Sequence, residues 1–435
     1  MARRLGPFDA TMIVMGGIIG AGIFVNPSVV ARQVHTPLLI LGAWLIGGAI
    51  ALIGAFVYAE LAVLRPRVGG QYAYLRDAYH PIVAFLYGWT LLLVVQTGGM
   101  AGAAIIFGRY FHELSGLPVP EQAIAAIALG ILTAINCFGI RAGSNLQSAL
   151  MLTKLGAIAM LIGVGWILLA PAPPGLTTSL PPQAGNAWQG LAAAMVPVLF
   201  AYGGWQTASF VSGEMRDPRR DLPRGLFIGV AGVIVVYVLV TYVCLRALGP
   251  AGLANTTTPA SEVMRQALGS RGAKLIACGI AISTLGFLSQ SILTAPRVYY
   301  AMARDGLFFK AVGRLSERTR VPVFAIALQG IWAAIVAMTG RYEQILNYVV
   351  TIDVLFFGLT GAALFIFRAR EKPAAGEVFV RVPGHPVTTG IFVLACWTLV
   401  ITTLIRAPQN AGIGVLILGI GALVYGFWAP PRAVT

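Results

Sequence analysis

Gly16-Gly17-Ile18-Ile19-Gly20-Ala21-Gly22-Ile23-Phe24 stands in the middle of the first long apolar run, residues 8–34. Glycine fills four of the positions from 16 to 22. In a helix interior each would cost about 1 kcal/mol relative to alanine. The stretch therefore predicts a helix that breaks at its centre. At membrane depth, broken backbone is tolerated only where it is buried in protein or faces a watery cavity. A break frees N–H groups at the start of one half and C=O groups at the end of the other. Such ends can hold the carboxylate and the ammonium of a zwitterion. The first run points to a path for a small, amino-acid-like solute.

Working outward, the composition places the whole chain in a membrane. Hydrophobic residues make up 58% and charged residues 10% of the 435 positions, with a mean hydropathy of +0.82. Soluble domains carry roughly 25% charged residues. Apolar runs long enough to cross a bilayer recur along the length. Twelve are read: 8–34, 38–64, 82–111, 121–140, 146–170, 188–212, 226–248, 274–302, 321–339, 344–368, 386–405 and 411–428. The first is too long and too glycine-broken for a cleavable signal peptide. The expected fold class is an all-α membrane protein of about 12 transmembrane helices, in one membrane domain over residues 1–435.

The net charge of +15 does not mark a nucleic-acid binder, because no soluble face gathers it. Basic residues crowd the connections on one side, as in Arg65, Arg67 and Arg76, the run from Arg216 to Arg224, and the run from Arg314 to Arg320. Arg3, Arg4, Lys372 and Arg432 fall on the same side. The other side has Arg32, Arg109, Arg246, Arg265, Arg271, Lys274, Arg341 and Arg406. The positive-inside rule then puts both termini in the cytoplasm. Cys137, Cys244, Cys278 and Cys396 lie in or beside apolar runs without CxxC spacing, and the four histidines sit in or near loops. No metal and no cofactor is expected.

A second break answers the first. Phe200-Ala201-Tyr202-Gly203-Gly204-Trp205-Gln206 interrupts the sixth run, just after Pro197. Proline removes an N–H donor and stops helix propagation. Breaks in the first and sixth spans are the placement expected of a five-plus-five inverted repeat with discontinuous helices 1 and 6. The repeats would be 8–170 and 188–370, with 386–428 as two additional helices.

These residues carry a family resemblance. The chain resembles the amino acid–polyamine–organocation (APC) superfamily of transporters, and within it the L-type amino acid transporter group. The matching pieces are the stretch 16–24, Tyr58-Ala59-Glu60-Leu61 with Gly69-Gly70-Gln71-Tyr72-Ala73-Tyr74, and the stretch 200–206 with the tail Gly213-Glu214-Met215-Arg216-Asp217-Pro218. The resemblance implies that the backbone from Ile19 and Gly20 through Ala21 and Gly22 meets the substrate, with Ala21 and Gly22 N–H groups on its carboxylate. Carbonyls around Ile18, Phe200, Ala201 and Gly203 would meet its amino group. It also implies that Phe200 closes over the substrate as a gate. Where the family often has serine, this chain has Ala21, so an N–H contact survives and a hydroxyl contact does not. Mammalian members join a glycoprotein through a cysteine between the third and fourth spans. The corresponding loop here, 111–121, has no cysteine, and a bacterial-type, stand-alone member of the cell's inner membrane, with no disulfide-linked subunit, is expected.

Two intramembrane charges carry the remaining expectations. Lys154 lies well inside the fifth run, about 12 Å deep at 1.5 Å per residue. A buried ammonium needs acceptors, and the freed carbonyls of the first span are natural ones. In the resembling family a lysine in this span takes the place of a coupling ion, which implies sodium independence. Of the mid-span hydroxyls from Ser283 to Ser291, Ser289 is assigned beside Lys154. Asp353, in the tenth run, leaves three readings open. It could hold a cationic side chain, titrate as a proton site, or be satisfied by neighbouring donors. Glu60 reads as a structural or gating acid near Arg65 and Arg67, and Asp9 as an N-cap or inner-gate acid. The loop 65–81 reads as an amphipathic helix at the interface.

The function expected is a secondary active transporter of small, neutral L-amino acids. It would be sodium-independent and work by alternating access. The alternative is a carrier of cationic amino acids or polyamines, or a proton-coupled symporter, using Asp353. An intramembrane enzyme lacks a nucleophile–base pair in the spans, and a membrane sensor would add a soluble domain.

Overall fold

The computed structural model describes residues 5–171, 187–339, 342–370, 380–406 and 408–428. Arg3, Arg4, Arg341, Lys372 and Arg432 of the charge pattern lie outside the described residues. Each of the twelve apolar runs is a helix or a broken pair of helices. The first is α1 (Pro7–Ile18) followed by α2 (Gly22–Gln33), bent by 42° at the break. Next come α3 (Pro37–Leu64), the short α4 (Gln71–Ala78), and α5 (Pro81–Thr90), which passes through a π-helical turn (Leu91–Val95) into α6 (Gln96–Ser115). Then follow α7 (Glu121–Cys137) and α8 (Ile140–Ile167). The second broken pair is α9 (Ala187–Tyr202) and a 3-10 helix (Trp205–Glu214). The remainder is α10 (Pro218–Asn255), α11 (Pro259–Thr294), α12 (Pro296–Arg304), α13 (Val323–Thr339), α14 (Tyr342–Arg370), α15 (Val387–Arg406) and α16 (Pro408–Trp428). Among the described residues, seven helices are long and apolar enough to cross a membrane, or eight with the bent first pair. The apolar helices at Glu121–Cys137, Val323–Thr339 and Gly412–Gly426 are shorter.

Local chemistry sets the starts of these helices. Pro7 and Pro37 occupy first helical positions, where a missing N–H costs nothing. Asp9 accepts from the Gly6 N–H at 2.9 Å and Thr36 Oγ1 from Leu39 N–H at 3.3 Å. Asp9 is thus a helix-starting residue.

The bundle is apolar outside and polar in places within, as lipid requires. Ile127, Ile131, Val235, Ile331 and Leu394 stand exposed on its surface, whereas Gln71, Thr97, Lys154, Gln290 and Gln329 are fully buried. Small residues let the central helices approach. On α10, a Cβ at Gly225 would lie 2.7 Å from Ala10 Cβ, and one at Gly229 only 2.5 Å from Val14 Cγ1. This Gly-x-x-x-Gly face presses α1 against α10. In the same way α8 and α11 touch where Gly279 meets Ala157.

The basal end of the bundle, where α1 starts and α3 ends, is tied by ion pairs. Arg297 Nε donates to Glu214 Oε1 at 2.7 Å, both side chains almost wholly buried. Leu5 N–H donates to the Glu214 carbonyl at 3.0 Å, and Arg216 N–H to the Leu5 carbonyl at 2.9 Å. Glu60 takes both nitrogens of the Arg368 fork, at 2.8 and 2.7 Å, and the Val382 N–H at 2.7 Å. The sequence placed Glu60 beside Arg65 and Arg67. Those two instead face Asp77, at 3.6 and 3.7 Å, because α14 supplies a closer, planar partner for Glu60. The loop helix α4 differs from the interfacial reading as well. Its Gln71, Tyr72, Ala73, Tyr74 and Leu75 are buried, and it packs on α5 and α14. Tyr72 Oη donates to Asp305 at 2.9 Å, and burial and then that carboxylate push the phenol pKa up, so the donor stays protonated.

Candidate functional site

The two broken spans cross at their breaks. A Cβ built on Gly17 would lie 2.6 Å from the Gly204 carbonyl oxygen, and one on Gly204 2.1 Å from the Gly17 oxygen. Gly204 has φ +105°, a conformation that residues with a side chain rarely adopt. Backbone touches backbone here, which explains glycine at both positions.

Three carbonyls released by the first break are met by side chains from three other helices. Tyr237 Oη of α10 donates to Ile18 O at 2.9 Å and also reaches Ala201 O at 3.1 Å, joining the two broken spans. Trp44 and Tyr202 hold the Tyr237 ring, with centroids 5.5 and 5.1 Å away. The Lys154 ammonium of α8 donates to Ile19 O and is fully buried. Ser283 Oγ of α11 donates to Gly20 O at 3.4 Å. The donor side of the break is different. Among the described residues, no acceptor meets the N–H groups of Gly20, Ala21 or Gly22. They open the N-terminus of α2, where the helix dipole favours negative charge.

Those three residues line a cavity of about 110 Å³, together with Ile18, Phe200, Ala201, Gly203 and Asp353. Its wall climbs α6 from Val95 to Ile106, starting at the π-helical turn. Gly98, Gly99 and Gly102 keep that wall flat, and Phe287, Gln290 and Ser291 of α11 close another side. Asp353 is the one charged side chain among the described lining residues.

Two residues expected at the site lie elsewhere. Ile19 does not line the cavity; its side chain is fully buried and its carbonyl is taken by Lys154. Ser289 makes no hydrogen bond to the ammonium, and its Oγ has no partner among the described residues. The α11 positions facing α8 and the break are instead Gly286, where a Cβ would be 3.4 Å from Lys154 Cε, and Ser283. Helical phase decides this. Positions 283 and 286 share a face that 289 has rotated away from at 3.6 residues per turn.

Other residues at the site were given no role by the sequence. Gln206 Oε1 accepts from Gly204 N–H at 2.9 Å and its Nε2 faces Asp353 Oδ2 at 3.4 Å. Thr207 Oγ1 donates to Gly204 O at 2.6 Å and accepts from Gln290 Nε2 at 2.6 Å. Gln147 Nε2 donates to Met12 O at 2.7 Å. Each is a lone amide or hydroxyl in an apolar run. Only a neighbouring break could have flagged them. Among the described residues no group of His, Cys, Asp and Glu could hold a metal ion.

Comparison with known proteins places the chain in a family. The family model for amino acid permeases matches residues 5–427. The chain belongs to the amino acid permease family. It is 30% identical over 442 residues to the human protein named large neutral amino acids transporter small subunit 2, covering 98% of this chain and 80% of that one. It is 30% identical over 390 residues to the rabbit b(0,+)-type amino acid transporter 1, covering 86% of this chain and 77% of that one. The human b(0,+)-type protein is 29% identical over 426 residues. This permease is therefore a transporter and not an enzyme, and an integral membrane protein.

Proposed function

We propose that this permease carries small L-amino acids across the membrane without sodium, by alternating access. The observation that carries the reading is the unequal state of the first break. Its free carbonyls already have donors, while the N–H groups of Gly20, Ala21 and Gly22 face the cavity without acceptors. A carboxylate supplies what they lack. The α-amino group would then lie toward the end of α9, near Phe200 and Gly203, and Phe200 would close over the pair.

Lys154 supports the sodium-independent part. Its fixed charge sits on the carbonyl of the break, where a coupling cation would otherwise find oxygen ligands. In this reading the segments 8–170 and 188–370 are inverted repeats, 386–428 is an addition, and both termini face the cytoplasm. The ion-paired basal end is then the closed inner gate. The short connection after α6 contains no cysteine, which favours a permease that works without a disulfide-linked subunit.

The relatives named for large neutral amino acids favour uncharged side chains. Asp353 in the cavity wall favours a second reading, a substrate with an additional cation. Counterflow in proteoliposomes tests the core of the proposal. Labelled L-alanine should accumulate against unlabelled L-alanine, and ethylamine, its decarboxylated form, should neither compete nor be carried. Equal transport of the amine would remove the carboxylate site.

A further inference from the structure

The turn that joins α3 to α4 carries an open pocket at the basal end. Its volume is about 450 Å³, and its walls are Leu64, Arg65, Pro66, Arg67 and Asp77. It shares no lining residue with the substrate cavity. The carboxylate in it is already engaged. Arg76 Nε donates to Asp77 Oδ1 at 2.9 Å, and Arg76 Nη2 lies 2.9 Å from the same oxygen. The remaining nitrogen of that fork, Nη1, reaches Asp305. Arg65 Nε and Arg67 Nη1 stand 3.6 and 3.7 Å from Asp77 Oδ2, beyond hydrogen-bond distance. Arg370 Nη1 donates to the Asp77 carbonyl at 3.3 Å. Among the described residues, Arg65, Arg67, Arg76 and Arg370 thus face only two carboxylates, Asp77 and Asp305, and positive charge is in excess.

The arginines are held ready in different ways. Arg65 Nη1 donates to the Leu64 carbonyl at 3.0 Å, and its guanidinium lies over the Phe367 ring, 4.7 Å from the centroid. The Arg67 side chain is 61% exposed, but its backbone is fixed. Ser212 Oγ, near the end of the second broken span, donates to the Arg67 carbonyl at 2.8 Å, and Gly69 N–H donates to the Phe210 carbonyl at 3.4 Å. A Cβ on Gly70 would lie 2.6 Å from the Ser209 carbonyl oxygen, so turn and span touch through backbone.

We propose that this pocket binds the phosphate of an anionic phospholipid headgroup, with Arg65 and Arg67 as its ligands. A phosphodiester brings one negative charge and two acceptor oxygens that match guanidinium forks, which a single carboxylate oxygen cannot offer to two arginines. Position selects a lipid over a soluble phosphate. The membrane-spanning α3 ends at Leu64, so the pocket opens at the very end of an apolar span, the level at which headgroups lie. Because the turn is tied to the second broken span, a headgroup held there braces that span and stabilises the fold. The inference does not depend on which solute the cavity carries.

The test is thermal unfolding of the full chain in detergent, titrated separately with phosphatidylglycerol, phosphatidylcholine and inorganic phosphate. Phosphatidylglycerol should raise the Tm to a plateau, whereas phosphatidylcholine and inorganic phosphate at about 10 mM should leave it unchanged. Arg65→Gln and Arg67→Gln should each raise the half-maximal phosphatidylglycerol concentration about fivefold. Arg67→Lys, which keeps the charge without the fork, should fall between wild type and Arg67→Gln. Arg219→Gln removes an exposed arginine from the start of α10 at the same end, and should stay within about twofold of wild type. The Tm of each variant without lipid checks its fold.

Equal shifts by the two lipids would overturn the proposal. So would a wild-type titration in both glutamine variants, or an equal loss in Arg219→Gln, which would make the effect one of general surface charge. A shift by inorganic phosphate equal to that by phosphatidylglycerol would overturn the lipid assignment.

Discussion

Replacing Gly204 with alanine should disable the permease through the backbone alone. The new Cβ would lie 2.1 Å from Gly17 O and 2.6 Å from Gly17 C, both atoms of the main chain that cannot swing away. Relief requires the two broken spans to part by about 1 Å at their crossing, and overpacking of this kind costs about 1–3 kcal/mol. The φ of +105° adds strain of roughly 1–3 kcal/mol for a residue with a side chain. The total of about 2–6 kcal/mol falls on the contact that sets the cavity's shape. Gly20→Ala is the control. Its Cβ would meet only Phe287, at 3.6 Å, an ordinary contact, but it stands in the cavity wall. Thermal unfolding in detergent and alanine counterflow should separate the two. Gly204→Ala should lose several degrees of Tm and its transport, whereas Gly20→Ala should keep its Tm and lose transport. Wild-type Tm and counterflow in Gly204→Ala would refute the reasoning, since the two breaks could not then be in contact.

Three further outcomes are expected. Lys154→Ala should lower the transport rate and stability by leaving the Ile19 carbonyl without its donor, a loss of about 1–3 kcal/mol, and Lys154→Arg should rescue poorly in a space shaped for a compact cation; rates and Tm of both variants check this. Tyr237→Phe should leave Ile18 O and Ala201 O without their shared donor, reducing maximal counterflow with little change in fold, as rate and Tm measured together will show. At the basal end, burial and then the Arg368 cation hold the His385 pKa below its ordinary value, so the folded chain prefers the neutral ring. The unfolded chain takes up that proton first, near pH 6.5, so this part of the stability is complete above that pH and is lost as pH falls through the lowered folded value. Tm should decline between pH 7 and 5, and His385→Gln should reduce the decline.

Much of the architecture could be read before the structure was described, because lipid imposes simple rules on composition. Twelve apolar runs became helices, and the glycine clusters at 16–22 and 203–204 became real breaks. Backbone sites are legible in this way because glycine and proline mark them. Side-chain partners were not legible to the same degree. Glu60 lies near Arg65 in sequence yet pairs with Arg368, more than three hundred residues on. Arg297 stands in the run 274–302 and is fully buried on Glu214, a partner more than eighty residues away. Ser283 and Ser289 differ only in helical phase, and phase has no reference until the neighbouring helices are placed. Tyr237 and Gln206 act through side-chain hydrogen bonds to the backbone of the breaks, which no spacing in the chain foretells.

The central claim is that a carboxylate binds the open N–H groups of Gly20 to Gly22 and that Lys154 stands where a coupling ion would. Counterflow of labelled L-alanine in proteoliposomes tests both at once, with Na⁺ replaced by K⁺ or choline at constant pH and with ethylamine offered as competitor. The account predicts the same rate in all three salts and no competition by the amine. A several-fold dependence on Na⁺, or competition by ethylamine equal to that of alanine, would contradict it.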